Sequence, residues 1–333
     1  MWVTSSLTAA LTPTAIALGN FDGVHRGHGQ VVRPIFRMAG IPERSPDSFP
    51  LSLTPERLSQ RKGHIHPTVV TFNPHPREFF SGQSRQLLTP LREKVEQLER
   101  LGVEQLVLLP FDRELASLSP QQFVEDVLVK QLRPVCISVG QDFRFGHGRT
   151  GTATDLKAIA ADFGIEVHIT PLALCQEERI SSSAIRKALA EGDMEKANRL
   201  LGRSYLLTGK VITGQQLGRT LGFPTANLEL PPNKFLPRYG VYAVRVAIAE
   251  EESSIVSRHW GVMNIGCRPT LDGAKPSVEV HLLDWSGDLY EKTLTVKLEK
   301  FLRSEQKFPS LDALKSQIAL DCEAARKIQM KTI

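Results

Sequence analysis

An α/β fold class is predicted for this chain: a doubly wound parallel-sheet domain followed by a small antiparallel β-barrel with a closing helix. Three observations carry that reading. The first half alternates short apolar runs with helical stretches, and strands buried on both faces of a parallel sheet read as continuous apolar runs joined by helical crossovers. The second half has short strand-like segments with no helices between them. Its last stretch is long, with apolar residues recurring on one helical face. A chain of 333 residues is too long for one average domain and comfortable for two.

In the first half the apolar runs are Thr14–Leu18, Thr68–Phe72, Gln105–Leu109, Val135–Val139 and Glu166–Ile169, with helices expected over Arg92–Leu101 and Pro120–Gln131. In the second half, strands are expected over Tyr205–Ile212, Val241–Ile248, Ser277–Leu283 and Thr293–Leu298. A closing helix follows over Leu311–Gln329, with Leu311, Leu314, Ile318 and Ala325 on one face. The domains are expected at 13–192 and 204–330. The stretch 39–67, rich in proline and serine, reads as a flexible insertion between the first helix and the second strand.

Bulk composition narrows the function classes. Hydrophobic content of 41% and charged content of 23% are those of a folded globular protein. Lys and Arg number 41 and Asp and Glu 36, a net charge of +5 that suits nucleotide substrates without demanding nucleic acid. Cys136, Cys175, Cys267 and Cys322 form no Cys-x-x-Cys pair, which points to reduced thiols in the cytoplasm and to neither a zinc knuckle nor a disulfide framework. The N-terminus lacks a basic n-region, and no apolar run approaches the roughly 18 residues of a membrane span, so neither secretion nor a membrane partner is expected.

Ligands of doubly wound sheets bind beyond the carboxyl ends of the strands, and the unusual residues of the first half cluster there. After the first strand comes Gly19-Asn-Phe21-Asp22-Gly-Val-His25-Arg-Gly27-His28; after the second, Asn73-Pro-His75-Pro76; after the fourth, Gly140-Gln-Asp142-Phe-Arg144-Phe-Gly146. Histidines three apart at a helix start share a face, where imidazole N–H groups and the positive helix end can converge on phosphate. The fingerprint Gly-x-Gly-x-x-Gly is absent, which argues against a dinucleotide redox cofactor.

The second half has its own phosphate device. A strand breaks into a loop spaced by Gly209, Gly214, Gly218 and Gly222, where missing Cβ atoms let backbone N–H groups approach a polyphosphate. Thr225 and Asn227, two apart on an extended segment, face the same way and offer two oxygens to a hard cation such as Mg²⁺. Glu279, on a strand face otherwise suited to burial, supplies a carboxylate of the kind a general base needs. No Walker run Gly-x-x-x-x-Gly-Lys-Ser/Thr is present.

These residues resemble known families. The glycine loop, Pro224-Thr-Ala-Asn227, the segment Gly261-Val-Met-Asn264-Ile-Gly266 and Val278-Glu279-Val280-His281 are similar to the riboflavin kinase module over about 204–330. The His25-x-Gly-His28 signature, Pro74-His75-Pro76, Asp142-Phe-Arg144-Phe-Gly146 and Arg179-Ile-Ser-Ser182-Ser183-Ala-Ile-Arg186 resemble the flavin adenylyltransferase branch of the nucleotidyltransferase superfamily over about 13–190. Together the layout resembles the bacterial bifunctional riboflavin kinase/FAD synthetase family. It departs in the insertion 39–67, in Gly29 where glutamine is common, and in Ser183 where threonine is frequent.

The resemblance implies ATP as co-substrate, Mg²⁺ as cofactor, and riboflavin, FMN and FAD as substrates or products. It implies Glu279 as the kinase base, Thr225 and Asn227 as metal ligands, and Gly209, Gly214, Gly218 and Arg219 around the nucleotide. His25 and His28 would stabilise the α-phosphate of a second ATP, near Gly19, Phe21, Asp22 and Gly27. Arg179, Ser182, Ser183 and Arg186 would hold pyrophosphate, while Asn73, His75, Pro76, Asp142, Arg144 and Arg303 would line the flavin pocket. Other readings stay open: His25 and His28 as zinc ligands, the serines as a helix cap, His75 as structural, the whole as an inactive flavin carrier or regulator, or as a transferase acting on another phosphate ester.

Overall fold

The central strand of the first sheet is apolar on both faces because both faces are covered. In the computed structural model, which describes residues 1–41, 63–214, 218, 221–248, 257–270 and 273–332, Ala15 and Ala17 point into one core with Val32, Ile35, Phe36 and Leu98. Ile16 and Leu18 point into the other, with Val124, Leu128, Ile137 and Leu156. Burying each of the larger side chains contributes about 1.5–3 kcal/mol. That explains why a run as short as Thr14–Leu18 fixes a central strand.

The chain forms two compact units, Met1–Ser182 and Ser183–Ile333. In the first, the strands are β1 (Trp2–Thr4), β2 (Thr14–Leu18), β3 (His66–Asn73), β4 (Gln105–Pro110), β5 (Pro134–Gly140) and, after the two-residue pair β6 (Arg144–Phe145) and β7 (Gly151–Thr152), β8 (Glu166–Thr170). A second short pair, β9 (Leu174–Cys175) and β10 (Glu178–Arg179), follows. The sheet runs β1-β4-β3-β2-β5-β8, with every neighbouring pair parallel. Its order reverses between β2 and β5, and ligands of such sheets lie at that switch point.

The helices of this unit are α1 (Arg26–Met38), α2 (Pro76–Ser81), α3 (Leu91–Leu101), α4 (Arg113–Ser117), α5 (Pro120–Gln122, wound on as a π-helix over Phe123–Leu132) and α6 (Ala153–Ala161). The predicted helix Pro120–Gln131 therefore widens after its first turn. Ser119 caps it, accepting from the Gln122 backbone N–H. Most of the stretch 39–67 lies outside the described residues.

From its second residue onward α7 (Ser182–Glu191) belongs to the second unit, where it and α8 (Met194–Leu201) precede a closed antiparallel barrel ordered β11-β12-β15-β14-β13-β16. Its strands are β11 (Tyr205–Ile212), β12 (Ala226–Glu229), β13 (Gly240–Ile248), β14 (Ser257–Thr270), β15 (Gly273–Leu282) and β16 (Thr293–Arg303). Strand β16 pairs with both β11 and β13 and so closes the barrel. The closing helix α9 (Leu311–Thr332) covers Val241, Ala243 and Val262 with Ile318, Cys322, Ala325 and Ile328. Leu311, expected on that face, stays 62% exposed; the stripe continues instead through buried Asp321, whose charge is met by Arg303.

Helix α8 packs on β11 and β16. Asn198 bridges them: its Nδ2 donates to the Leu298 carbonyl at 2.9 Å and its Oδ1 accepts from the Tyr205 N–H at 2.7 Å. The two compact units divide between Ser182 and Ser183, at the first residue of α7.

Candidate active sites

The loop leaving β2 is held in an unusual shape. Phe21 and Val24 take positive φ values of 48° and 41°, a region costly for residues with a Cβ and concentrated at functional sites. Asp22 keeps the loop in place from inside: its buried Oδ1 accepts the N–H of Leu88 at 2.8 Å and of Thr89 at 3.3 Å. The Thr89 hydroxyl oxygen accepts from the Gly23 N–H, and the Ser182 hydroxyl donates to the Asp22 carbonyl. Below the loop, the Lys94 ammonium donates to the Asn20 carbonyl at 2.9 Å, and burial pushes its pKa down against the opposing pull of Asp22 and Glu78.

This loop delivers His25 and His28 to the start of α1 as a reciprocal cap. The His28 backbone N–H donates to His25 Nδ1 at 3.2 Å and the His25 N–H to His28 Nδ1 at 3.3 Å. The rings stack at 3.6 Å and 12°, with Phe21 at 5.1 Å from His28. A Cβ at Gly27 would meet the His25 ring at 3.2 Å, so a larger residue there would press on that ring. A nitrogen that accepts carries no proton, so Nε2 of each ring is the N–H donor. Two such donors stand beside the N-terminal N–H groups of a thirteen-residue helix, an arrangement whose chemistry suits an anion.

The other residues anticipated from sequence take the following places. Asp142 follows β5, on the far side of the switch point, and is ion-paired with Arg179; Arg144 opens β6 and is exposed. Asn73 ends β3, Pro76 is the first residue of α2, and His75 caps that helix through Nδ1, which accepts the Arg77 N–H at 3.0 Å. Burial, then the Arg85 guanidinium 3.1 Å from Nε2, lowers the His75 pKa to about 4. Ser183 and Arg186 belong to the second compact unit, where Arg186 lies over the Phe235 ring at 5.6 Å.

Sequence reading missed an aromatic group at the carboxyl end of β3 and β4. Phe79, Phe80 and Phe111 meet edge to face at 5.3–5.8 Å, Phe72 adjoins Phe111, and Phe80 is 72% exposed. The double phenylalanine beside Pro76 was the available signal, but its distant partner Phe111 was not.

In the barrel, register assembles the second site. Asn227 on β12 and Asn264 on β14 both pair with Glu279 on β15, giving a row of three polar residues across adjacent strands. The Thr225 hydroxyl lies 3.5 Å from Glu279 Oε2. Alternation buries Val278 and Val280 and leaves Glu279 half-buried on the opposite face, which corrects the expectation that it shares the apolar face. A Cβ on Gly214 would run into the Asn227 side chain, so the loop can lie on that amide only as glycine. Gly218 accepts the Phe223 N–H at 2.8 Å, Gly209 sits within β11 opposite Leu294 and not in the loop, and Arg219 lies outside the described residues.

Arg303 is also engaged structurally. Its Nε and Nη2 donate to buried Asp321 of α9 at 2.7–3.1 Å, and it stacks over Phe308 at 5.6 Å. The fork therefore joins the barrel's last strand to the closing helix.

Comparison with known proteins covers both halves of the chain. The riboflavin kinase family model matches residues 201–329 and the FAD synthetase model matches 7–47 and 53–184. A bifunctional riboflavin kinase/FMN adenylyltransferase of Escherichia coli K12 is 40% identical over 313 residues, covering 94% of this chain and 91% of that one. The same-named protein of Haemophilus influenzae is 39% identical, covering 94% and 93%. A crystal structure from Streptococcus pneumoniae, described as a macrolide-efflux protein, superposes with TM-score 0.80 at 30% identity, covering 97% of this chain and 98% of that one. Among the described residues, no helix is long and apolar enough to cross a membrane.

Proposed function

The chain belongs to the bifunctional riboflavin kinase/FMN adenylyltransferase family, and from that membership we propose how its own residues carry out the two reactions. The C-terminal domain phosphorylates riboflavin to FMN with ATP, and the N-terminal domain adenylylates FMN to FAD with a second ATP, releasing pyrophosphate. We assign the first reaction to 204–330 and the second to 13–192.

In the kinase, Glu279 takes the proton of the riboflavin 5′-hydroxyl as that oxygen attacks the γ-phosphorus of ATP. The observation that supports this is the row Asn227–Glu279–Asn264 with the Thr225 hydroxyl 3.5 Å from the carboxylate. Thr225, Asn227 and Glu279 present hard oxygen donors, which suit Mg²⁺, and Thr225 and Asn227 would hold it. Bound there, Mg²⁺ would neutralise charge on the transferring phosphates. Gly214 and Gly218 let the loop approach the nucleotide, with Arg219 beside it by sequence.

In the adenylyltransferase, the FMN phosphate attacks the α-phosphorus of ATP and pyrophosphate leaves. A phosphate monoester is already a nucleophile, so His25 and His28 serve as fixed Nε2–H donors to the crowded α-phosphate. Asp22 and Lys94 hold the loop that carries them. Arg179 and Ser182, with Ser183 and Arg186 assigned from sequence alone, receive the leaving group. The Phe79, Phe80 and Phe111 group offers aromatic surface for the flavin ring beside Asn73, His75 and Pro76. Asp142 and Arg144 would flank the nucleotide and flavin, and Arg303 acts on the kinase flavin through the closing helix it anchors.

The four free thiols accord with the cytoplasm. Incubation with riboflavin, ATP and Mg²⁺, followed by chromatography, tests the whole scheme. FMN and then FAD with pyrophosphate are expected. An inactive carrier would give neither product, and a transferase for another phosphate ester would leave riboflavin unphosphorylated.

A further inference from the structure

At the amino end of the parallel sheet, opposite the strand ends that carry the catalytic loops, His64, His66 and Glu104 converge. Glu104 Oε2 lies 2.8 Å from His64 Nε2 and 3.1 Å from His66 Nδ1. The two rings meet edge to face at 4.8 Å. One donor atom from each of the three residues lies within 4.8 Å of the others. The side chains of His64, His66 and Glu104 are 13%, 5% and 9% exposed. None of them has a part in either reaction described above.

The sheet itself makes this cluster. His64 and His66 are two apart on the extended segment entering β3, so their side chains face the same way. Parallel pairing sets Thr68 opposite Gln105, which brings Glu104 level with the start of β3. The backbone is fastened on all sides: the His66 N–H donates to the Pro13 carbonyl at 2.9 Å, the Glu104 N–H to Pro67 at 3.0 Å, and the Trp2 N–H to the Glu104 carbonyl at 2.8 Å. The three donors are thus mounted on neighbouring strands, with positions fixed before any ligand arrives.

We propose that His64, His66 and Glu104 form a binding site for a divalent transition-metal ion of the zinc class. Two imidazole nitrogens and one carboxylate oxygen suit Zn²⁺, Co²⁺ or Ni²⁺ and suit Mg²⁺ or Ca²⁺ poorly. Four-coordinate zinc, with bonds of about 2.0–2.2 Å, needs donors about 3.3 Å apart. The separations here, from 2.8 Å to no more than 4.8 Å, bracket that value. Binding requires each imidazole to give up its contact proton and the carboxylate to stay ionised. The fourth position goes to water, because the site has three protein ligands. The ion would bind His64, just after the Pro-rich stretch, to the sheet at His66 and Glu104, so its effect is on stability and not on chemistry.

The competing account is a metal-free triad in which both imidazoles donate to one carboxylate. Full-length protein stripped with EDTA and titrated with Co²⁺ and with Zn²⁺, without nucleotide, separates the two. One equivalent is expected to bind at micromolar concentration, Co²⁺ giving the visible bands of a tetrahedral N,N,O site and Zn²⁺ raising Tm. His64→Ala, chosen because His64 precedes the strand, should weaken binding at least tenfold and abolish the Tm shift, with His64→Gln as a second variant if the alanine form is poorly folded. His28→Ala should keep both effects. No binding of one equivalent, or binding unchanged in a folded His64 variant, overturns the site.

Discussion

His25 and His28 cap one another: each Nδ1 accepts the other's backbone N–H, at 3.2 and 3.3 Å, with the rings stacked at 3.6 Å. The pair therefore does two separable jobs, ending a helix with Nδ1 and presenting an N–H donor with Nε2. His28→Ala is expected to lower FMN-to-FAD conversion about 10²–10³-fold, as loss of a preorganised donor does, and to cost about 0.5–1.5 kcal/mol of stability from the lost bond to the His25 N–H. His28→Asn keeps an acceptor in the position of Nδ1 but has no Nε2. Thermal unfolding should recover in that variant while FAD synthesis stays low, and riboflavin phosphorylation should persist in both. Equal recovery of activity and stability would show that only the cap matters.

Glu279 stands in a row between Asn227 and Asn264, so its replacement by glutamine keeps the neighbours and the shape while deleting the base. Glu279→Gln is expected to reduce FMN formation about 10²–10⁴-fold and leave conversion of supplied FMN to FAD near the parent rate. FMN formation at the parent rate would remove Glu279 from its role.

Much of this was legible from sequence where the causes are local. The runs Thr14–Leu18 and Val135–Val139 mark strands because both faces are buried, and His25-x-Gly-His28 is a four-residue device. What the sequence hid depends on register or on distant partners. Strand β1 is only Trp2–Thr4 at a sheet edge, too short for a pattern. The pairing of Arg303 with Asp321, eighteen positions on, carries no sequence signal. Lys94 beneath Asn20, and Phe111 beside Phe79 and Phe80, likewise needed the fold.

His75 makes stability depend on pH. Its folded pKa, lowered to about 4 by burial and by Arg85, lies below the unfolded value of 6.5. Between those values the unfolded chain binds more protons than the folded one, so stability falls as pH drops from 6.5 toward 4 and this contribution levels off below. His75→Asn keeps a cap acceptor and does not titrate. Denaturant unfolding from pH 7 to 4.5 should show a shallower loss in the variant; parallel curves would mean His75 does not set the slope.

The second compact unit begins at Ser183, ahead of α8, and this decides where a kinase fragment can start. Helix α8 buries Met194, Ala197, Leu200 and Leu201 to 3% exposure or less, and Asn198 ties β11 to β16 where the barrel closes. A fragment from Ser183 is expected to fold and to phosphorylate riboflavin at a rate near that of the full chain, making FMN and no FAD. One starting at Arg203 loses Asn198 and these buried side chains, of which Met194, Leu200 and Leu201 are each worth about 1.5–3 kcal/mol, a sum comparable with the whole stability of a small domain. It should therefore unfold at markedly lower denaturant concentration and lose activity with its fold. Urea unfolding and product chromatography on the two fragments give the answer. Equal midpoints would mean that α8 contributes nothing to the barrel, and loss of FMN formation in a folded Ser183 fragment would mean that the kinase draws on residues before it.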